Sequence, residues 1–183
     1  MAVKKELEPT QWLLSIANHT TFMEKLTISC SFERFASRDQ LNPTILPMLD
    51  ACMDAMQRAY APYSSFRVGA ALLLENGVIV QGNNQENAAY PSGLCAERVA
   101  FFAASANYPG IRIIAASVTA SSAQYTEGDP VTPCGGCRQC MLEYELKQHA
   151  DIPLYMMSPS GEITMSPSMK QLLPLFFESK GKF

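Results

Sequence analysis

Three cysteines in two short motifs place the tightest constraint on what this chain can fold into. Cys95-Ala96-Glu97 lies in one segment, and Pro133-Cys134-Gly135-Gly136-Cys137 lies in a later one. The Cys-x-x-Cys spacing lets two thiolates grip one ion from the first turn of a helix. Two helix N-termini aimed at one point would favour ionised thiolates there. Cys-x-Glu at the start of a helix sets a carboxylate beside the same cavity without making it a ligand. Three protein ligands leave one tetrahedral position open, the mark of a catalytic rather than a structural zinc site. Taken alone, the Cys-x-x-Cys pair also fits a redox couple or half of a structural zinc site.

The order of patterned segments gives an α/β class with helices on the faces of a sheet. Pro47 opens a predicted helix to about Ala59, with Leu49, Met53 and Met56 as its apolar stripe. Val68–Leu74 and Val78–Gln81 flank Glu75-Asn76-Gly77, a strong hairpin signal. Ser92 is the expected cap of a helix from Gly93 to Ala106. Arg112–Thr119 reads as a continuous apolar strand of the buried, parallel kind. Pro133 opens a third helix to about His149. Leu154–Met157, Ile163–Met165 and a short helix near Met169–Leu173 close the pattern.

Upstream, Leu26, Ile28, Cys30 and Phe32 alternate with polar residues from Lys25 to Phe35, as in a strand. Gln11 to Ala17 suits a short helix. The expected organisation is therefore an N-terminal extension over 1–44, a short helix and an added strand packed on the core. A catalytic domain then occupies 45–183.

Five blocks, in order, surround or extend the cysteine motifs. They are Tyr60-Ala61-Pro62-Tyr63-Ser64, Phe66-Arg67-Val68-Gly69-Ala70-Ala71, Gly82-Asn83-Asn84-Gln85-Glu86-Asn87-Ala88, Tyr90 through Arg98, and Leu172-Leu173-Pro174. With these blocks, residues 45 to 178 resemble the small homotetrameric, zinc-dependent cytidine deaminases. The resemblance implies a three-layer α/β/α sandwich with a central mixed sheet. It implies one Zn²⁺ per subunit on Cys95, Cys134 and Cys137, with Glu97 as the proton-transferring carboxylate. The implied reaction is hydrolytic deamination of free cytidine and deoxycytidine, in pyrimidine salvage.

Other roles follow from the same resemblance. Asn84 and Glu86 would hold the sugar 3′-hydroxyl, and Phe66 would pack against the pyrimidine ring. The backbone at Ala96 and Pro133 would hold the base edge. Tyr90 and Phe177 would reach a neighbouring subunit's site, with Phe176 an alternative to Phe177. Three thiolates and one zinc sum to −1, and Arg98 would offset that charge; Arg138 is a second candidate. Cys30, Cys52 and Cys140 read as packing residues, and His149 as a residue beside a helix C-terminus.

Composition narrows the partners. Net charge is −3, and no Lys/Arg cluster suits a phosphate backbone, so a small nucleoside is expected and nucleic acid is not. No apolar run reaches the roughly 20 residues of a membrane span, and no signal peptide is expected. Six cysteines with metal-site spacing suit a reducing compartment, so the expected location is the cytoplasm. The competing readings are an aminohydrolase of a cytosine-containing antibiotic, a non-catalytic zinc module and a thiol-redox protein.

Overall fold

A computed structural model of the chain describes residues 24–121 and 130–179. Six strands form one sheet in the order β1-β6-β5-β4-β2-β3. They are β1 (Glu33–Phe35), β2 (Arg67–Leu74), β3 (Ile79–Asn83), β4 (Ile113–Ser121), β5 (Leu154–Met157) and β6 (Ile163–Ser166). Only β4 and β5 pair in parallel among the described residues; β2 is antiparallel to both β3 and β4. The sheet is therefore mixed, and β4 has a parallel partner on one side only. Its burial on both faces explains the unbroken apolar run.

Among the described residues, three α-helices cover the two faces. Helix α1 (Leu46–Gln57) packs on one face, while α2 (Ala96–Asn107) and α3 (Gly135–Lys147) pack on the other. Strand β2 shows the division at single-residue spacing. Ala70, Leu72 and Leu74 join the cluster under α2 and α3, whereas Ala71 joins Met48, Leu49 and Cys52 of α1. Alternate side chains of a strand point to opposite faces, so β2 feeds both cores. The result is a three-layer α/β/α sandwich.

Two glycines let the layers approach. A Cβ on Gly69 would lie 2.2 Å from the Cys52 carbonyl oxygen of α1. A Cβ on Gly82 would lie 2.4 Å from the Ala96 carbonyl oxygen and 2.5 Å from the Ala100 nitrogen of α2. The first turn of α2 thus rests directly on β3, and that contact fixes where Cys95 and Glu97 sit.

Several expected boundaries differ. The buried stripe of α1 runs through Met48, Leu49, Cys52 and Ala55, and Met53 faces outward. The apolar residues of this helix offer more than one stripe at helical spacing, and the close approach at Gly69 seats Cys52 and Met56 on the sheet and leaves Met53 outside. Ser92 does not cap α2; it ends a short 3-10 turn (Tyr90–Ser92), and Cys95 occupies the N-cap. Helix α3 starts after Cys134 and stops at Lys147, and the last predicted helix is a 3-10 turn, Met169–Leu172.

The expected strand over Lys25–Phe35 is shorter than its alternation. Only Glu33–Phe35 pairs with β6, at the sheet edge, while Leu26, Ile28 and Phe32 are exposed. Alternation marks one apolar side but supplies no partner for it. The helix expected over Gln11 to Ala17 lies outside the described residues.

Candidate functional site

Cys95 and Cys134 hold equivalent places. Each is the N-cap of its helix, with extended backbone (φ −71°, ψ 154° and φ −67°, ψ 164°). Cys137 is the third residue of α3, one turn in and buried. The three sulfurs lie within 4.8 Å of one another, and Cys95 Sγ is 3.9 Å from Cys134 Sγ. Two sulfurs at tetrahedral positions around zinc, each about 2.3 Å from the ion, are about 3.8 Å apart. The spacing is too long for a disulfide and right for a shared ion. Three thiolates from two helix N-termini therefore fit Zn²⁺ and leave one coordination position to the cavity.

Charge is arranged to match. Cys95 is pulled down to about 5, first by its hydrogen bond with Cys137, with Arg98 and Cys134 adding to the effect. Cys137 is pushed up by the same pairing and by burial, so the first negative charge resides on Cys95. Arg98 places Nη2 3.8 Å from the Cys95 sulfur. Its Nε is buried without a hydrogen-bond partner, so the guanidinium retains a donor at the thiolate cluster. Arg138 is used elsewhere: Nε donates to the Pro133 carbonyl at 2.9 Å and Nη1 to the Leu172 carbonyl at 3.1 Å. Of the two arginines, only Arg98 faces the thiolates.

Glu97 follows in the first turn of α2 and is only 5% exposed. Burial, and then the negative charge of Cys95, hold its carboxyl above the ordinary carboxylate range. A carboxyl of that kind, beside a metal and facing a cavity, is suited to accept and return protons. Cys140 lies outside the three-sulfur cluster, and burial raises its thiol to about 11. Cys52 donates to the Gly69 carbonyl at 3.2 Å and is pushed up to about 12 by burial, so it stays a neutral packing residue. His149 follows the end of α3 with φ 52°.

The cavity beside Glu97 has a volume of about 560 Å³ and includes Phe66, Asn84, Glu86, Tyr90, Cys95 and Arg98 in its lining. Beta pairing carries the lining loops. Asn84 extends the sheet ladder with its side chain, accepting from Val68 N at 2.8 Å and donating to the Phe66 carbonyl at 2.9 Å. One amide hydrogen and one oxygen lone pair of Asn84 remain for a ligand. Gln85 then exchanges two backbone hydrogen bonds of 2.9 Å with Leu94. Glu86 accepts from the amides of Tyr63 (2.9 Å) and Ser64 (3.3 Å) and from the Ser64 hydroxyl. These donors, the hydroxyl first, keep its carboxyl below the usual range, so it is charged at neutral pH.

The remaining expected residues divide. Ala96 is buried as the first residue of α2, where its amide has no intrahelical acceptor. Tyr90 lies at the cavity mouth with 89% of its surface exposed. Phe176 packs against this chain's own core, while Phe177 is 77% exposed and lies outside the cavity lining. The aromatic that points away from its own core is thus Phe177.

Sequence reasoning passed over two residues. Ser64 closes the loop onto Glu86, and the only signal for it was its place in the Tyr60–Ser64 block. Glu145 is buried and accepts from Ile152 N (2.8 Å), Met169 N (2.7 Å) and Ser168 Oγ (2.6 Å), tying α3 to the chain's last segments.

Comparison with known proteins follows the same residues. Residues 44–150 match the family described as "Cytidine and deoxycytidylate deaminase zinc-binding region". The chain is 42% identical over 126 residues to a cytidine deaminase of Sporosarcina psychrophila, covering 69% of this chain and 85% of that protein. It is 38% identical over 134 residues to a cytidine deaminase of Halalkalibacterium halodurans, covering 73% and 93% respectively. The crystal structure of cytidine deaminase from Burkholderia pseudomallei superposes with a TM-score of 0.62 at 36% identity, over 72% of this chain and 98% of that one.

Proposed function

The chain belongs to the cytidine and deoxycytidylate deaminase family, and from that premise we propose that it converts free cytidine and deoxycytidine, with water, into uridine and deoxyuridine plus ammonia. The observation that carries this reading is the buried Glu97 beside three sulfurs within 4.8 Å of one another, opening on a nucleoside-sized cavity. When bound, zinc lowers the pKa of a water it holds to about 7 and so supplies a nucleophile at neutral pH.

The chain's own residues do the rest. Cys95, Cys134 and Cys137 hold the ion, and Arg98 offsets the excess thiolate charge. Glu97 takes a proton from the attacking water and delivers it to N3 of cytosine, which makes C4 more electrophilic. It then takes the proton of the new C4 hydroxyl and passes it to the departing amino group, so the C4 carbonyl forms and the carboxylate is restored as ammonia leaves. Positioned proton transfer of this kind contributes about 10²–10⁴-fold. The Ala96 amide and the Pro133 carbonyl, the latter fixed by Arg138, hold the base edge. Phe66 packs on the ring, and Asn84 and Glu86 take the 3′-hydroxyl.

Tyr90 and Phe177 project outward, as residues serving a neighbouring subunit's site would, which supports a homotetramer with shared active sites. Residues 45–183 form the catalytic domain and 1–44 an added extension. No helix among the described residues is long and apolar enough to cross a membrane, and cysteines spaced for a metal suit the cytoplasm, where pyrimidine salvage would use this reaction.

Ultraviolet absorbance of zinc-loaded protein mixed with cytidine, deoxycytidine or cytidine monophosphate tests the proposal. Loss of the cytosine spectrum with both nucleosides, and little with the monophosphate, is expected because Glu86 places negative charge in the sugar site. No change with any of the three at full zinc occupancy overturns it.

A further inference from the structure

We infer that Ser64 is a positioning residue for nucleoside binding, its hydroxyl joining the carboxylate of Glu86 to the backbone of Phe66. The inference rests on the nucleoside reading above and adds a residue to which that reading gave no role. Ser64 Oγ donates to Oε1 of Glu86 and accepts from the Phe66 amide at 3.0 Å. One hydroxyl thus fastens the residue proposed to bind the sugar to the backbone of the residue proposed to pack on the base. Both side chains line the same cavity.

The loop around Ser64 is held more tightly than a connection needs to be. Tyr60 donates to the Asn84 carbonyl at 3.0 Å and accepts from the Glu86 amide at 2.9 Å, so 84–86 and 60 run side by side. Ser65, between Ser64 and Phe66, has φ 56°, and its amide donates to the Ala61 carbonyl at 3.1 Å. A serine in the left-handed region persists only where its surroundings over-determine it. Here the surroundings are the hydrogen bonds of Tyr63 and Ser64 to Glu86 on one side and the start of β2 on the other.

The arrangement also limits what Glu86 can do. Three donors occupy it, and a carboxylate offers about four acceptor sites. About one site remains for a sugar hydroxyl, and the direction of that site follows from where Ser64 holds Oε1. Removing the hydroxyl leaves Oε2 on the Tyr63 and Ser64 amides but releases Oε1, so the direction of the site left for the sugar is no longer set. It also leaves the Phe66 amide without its acceptor on Ser64. The chemistry at Glu97 lies on α2, outside this loop, so binding should suffer and the proton-transfer steps should not.

The test compares Ser64→Ala, Ser64→Thr and Glu86→Gln by steady-state kinetics on cytidine and 3′-deoxycytidine, with zinc content and thermal unfolding measured on each. Ser64→Ala is expected to raise KM for cytidine about tenfold, the weight of one hydrogen bond to a charged group, with kcat within about twofold. Its KM for 3′-deoxycytidine should change far less, because that substrate lacks the hydroxyl that Glu86 would take. Ser64→Thr keeps the hydroxyl and should stay near wild type. If Ser64→Ala does not fold, Ser64→Cys carries a weaker donor of similar size and should show the same selective rise in KM. An unchanged KM in a folded Ser64 variant, or an equal rise for both substrates, overturns the inference provided that Glu86→Gln still raises KM for cytidine. If Glu86→Gln itself leaves KM unchanged, the sugar-site reading fails first, and the role given to Ser64 falls with it.

Discussion

Gly82→Ala is the substitution through which the fold should act most directly on the chemistry. The added Cβ would sit 2.4 Å from the Ala96 carbonyl oxygen and 2.5 Å from the Ala100 nitrogen, and an ordinary contact needs at least 3.4 Å. Both obstacles are backbone, so no side-chain rotation relieves them. The first turn of α2 must therefore rise by about 1 Å (3.4 less 2.4). Overpacking of this kind costs about 1–3 kcal/mol, which for a chain of this size lowers Tm by about 2–12 °C.

The consequence for function is larger than that for stability. Cys95 caps α2, and its sulfur is 3.9 Å from Cys134. A further 1 Å takes the pair to about 5 Å, beyond the roughly 4.6 Å that two sulfurs can span across one zinc ion. Zinc affinity and turnover should therefore fall together, turnover by about 10²-fold or more. Gly69→Ala is the matched control, because its Cβ would meet α1 at 2.2 Å on the opposite face. Helix α1 carries no zinc ligand but leads into the loop that holds Glu86. Gly69→Ala should destabilise to a similar degree, keep zinc and mainly raise KM. Chelator competition, denaturant unfolding and steady-state kinetics on both variants decide the matter. Equal loss of zinc in the two variants, or wild-type zinc affinity in Gly82→Ala, would refute the reasoning.

Glu97→Gln should fold and bind zinc normally while turnover falls by about 10²–10⁴-fold, read by metal analysis and single-turnover absorbance. Arg98→Gln should lower turnover more than zinc occupancy, because its guanidinium touches the Cys95 thiolate without being a ligand; equal losses would count against charge compensation. The KM penalty of Glu86→Gln for cytidine is taken as a ratio to wild type at each pH, so that protonation of cytosine N3 and of Glu97 cancels. That penalty should stay constant as pH falls through the ordinary glutamate pKa of about 4.3 and shrink only below it. The reason is that Glu86 has its folded-state pKa lowered by Ser64 and Tyr63, so its contribution is present above the unfolded value and lost as pH drops through the folded one.

The metal site was legible because its requirements are local. A thiolate pair one turn apart and a Cys-x-Glu step each specify a helix start, and both helices begin where the cysteines stand. What stayed hidden depended on partners distant in sequence. Ser92 has the chemistry of a cap, yet α2 begins at Ala96, where Gly82 lets the helix sit on β3. Met53 fits a stripe as well as Met48 or Cys52 until the approach at Gly69, which seats Cys52 and Met56, selects a face. Leu26, Ile28 and Phe32 alternate like a strand, but alternation names a side and not the neighbour that would cover it.

The two buried glutamates show most clearly where sequence reading ends and geometry begins. Glu97 and Glu145 are 5% and 1% exposed, so burial does not distinguish them. Their partners do. Glu145 takes hydrogen bonds from Ile152, Ser168, Met169 and Lys170, all from segments that follow α3, and both of its oxygens are occupied. Such a carboxylate is compensated where it stands and has little acceptor capacity left for a substrate. Glu97 instead lines the cavity beside Cys95, in a setting that raises its hold on a proton. A carboxyl that is buried, adjoins open volume and has its proton affinity raised is equipped to exchange protons with what enters. From the sequence, Glu145 reads as one more charged residue on a helix, while Cys-x-Glu marks Glu97; satisfaction of the oxygens is what separates the two in the structure.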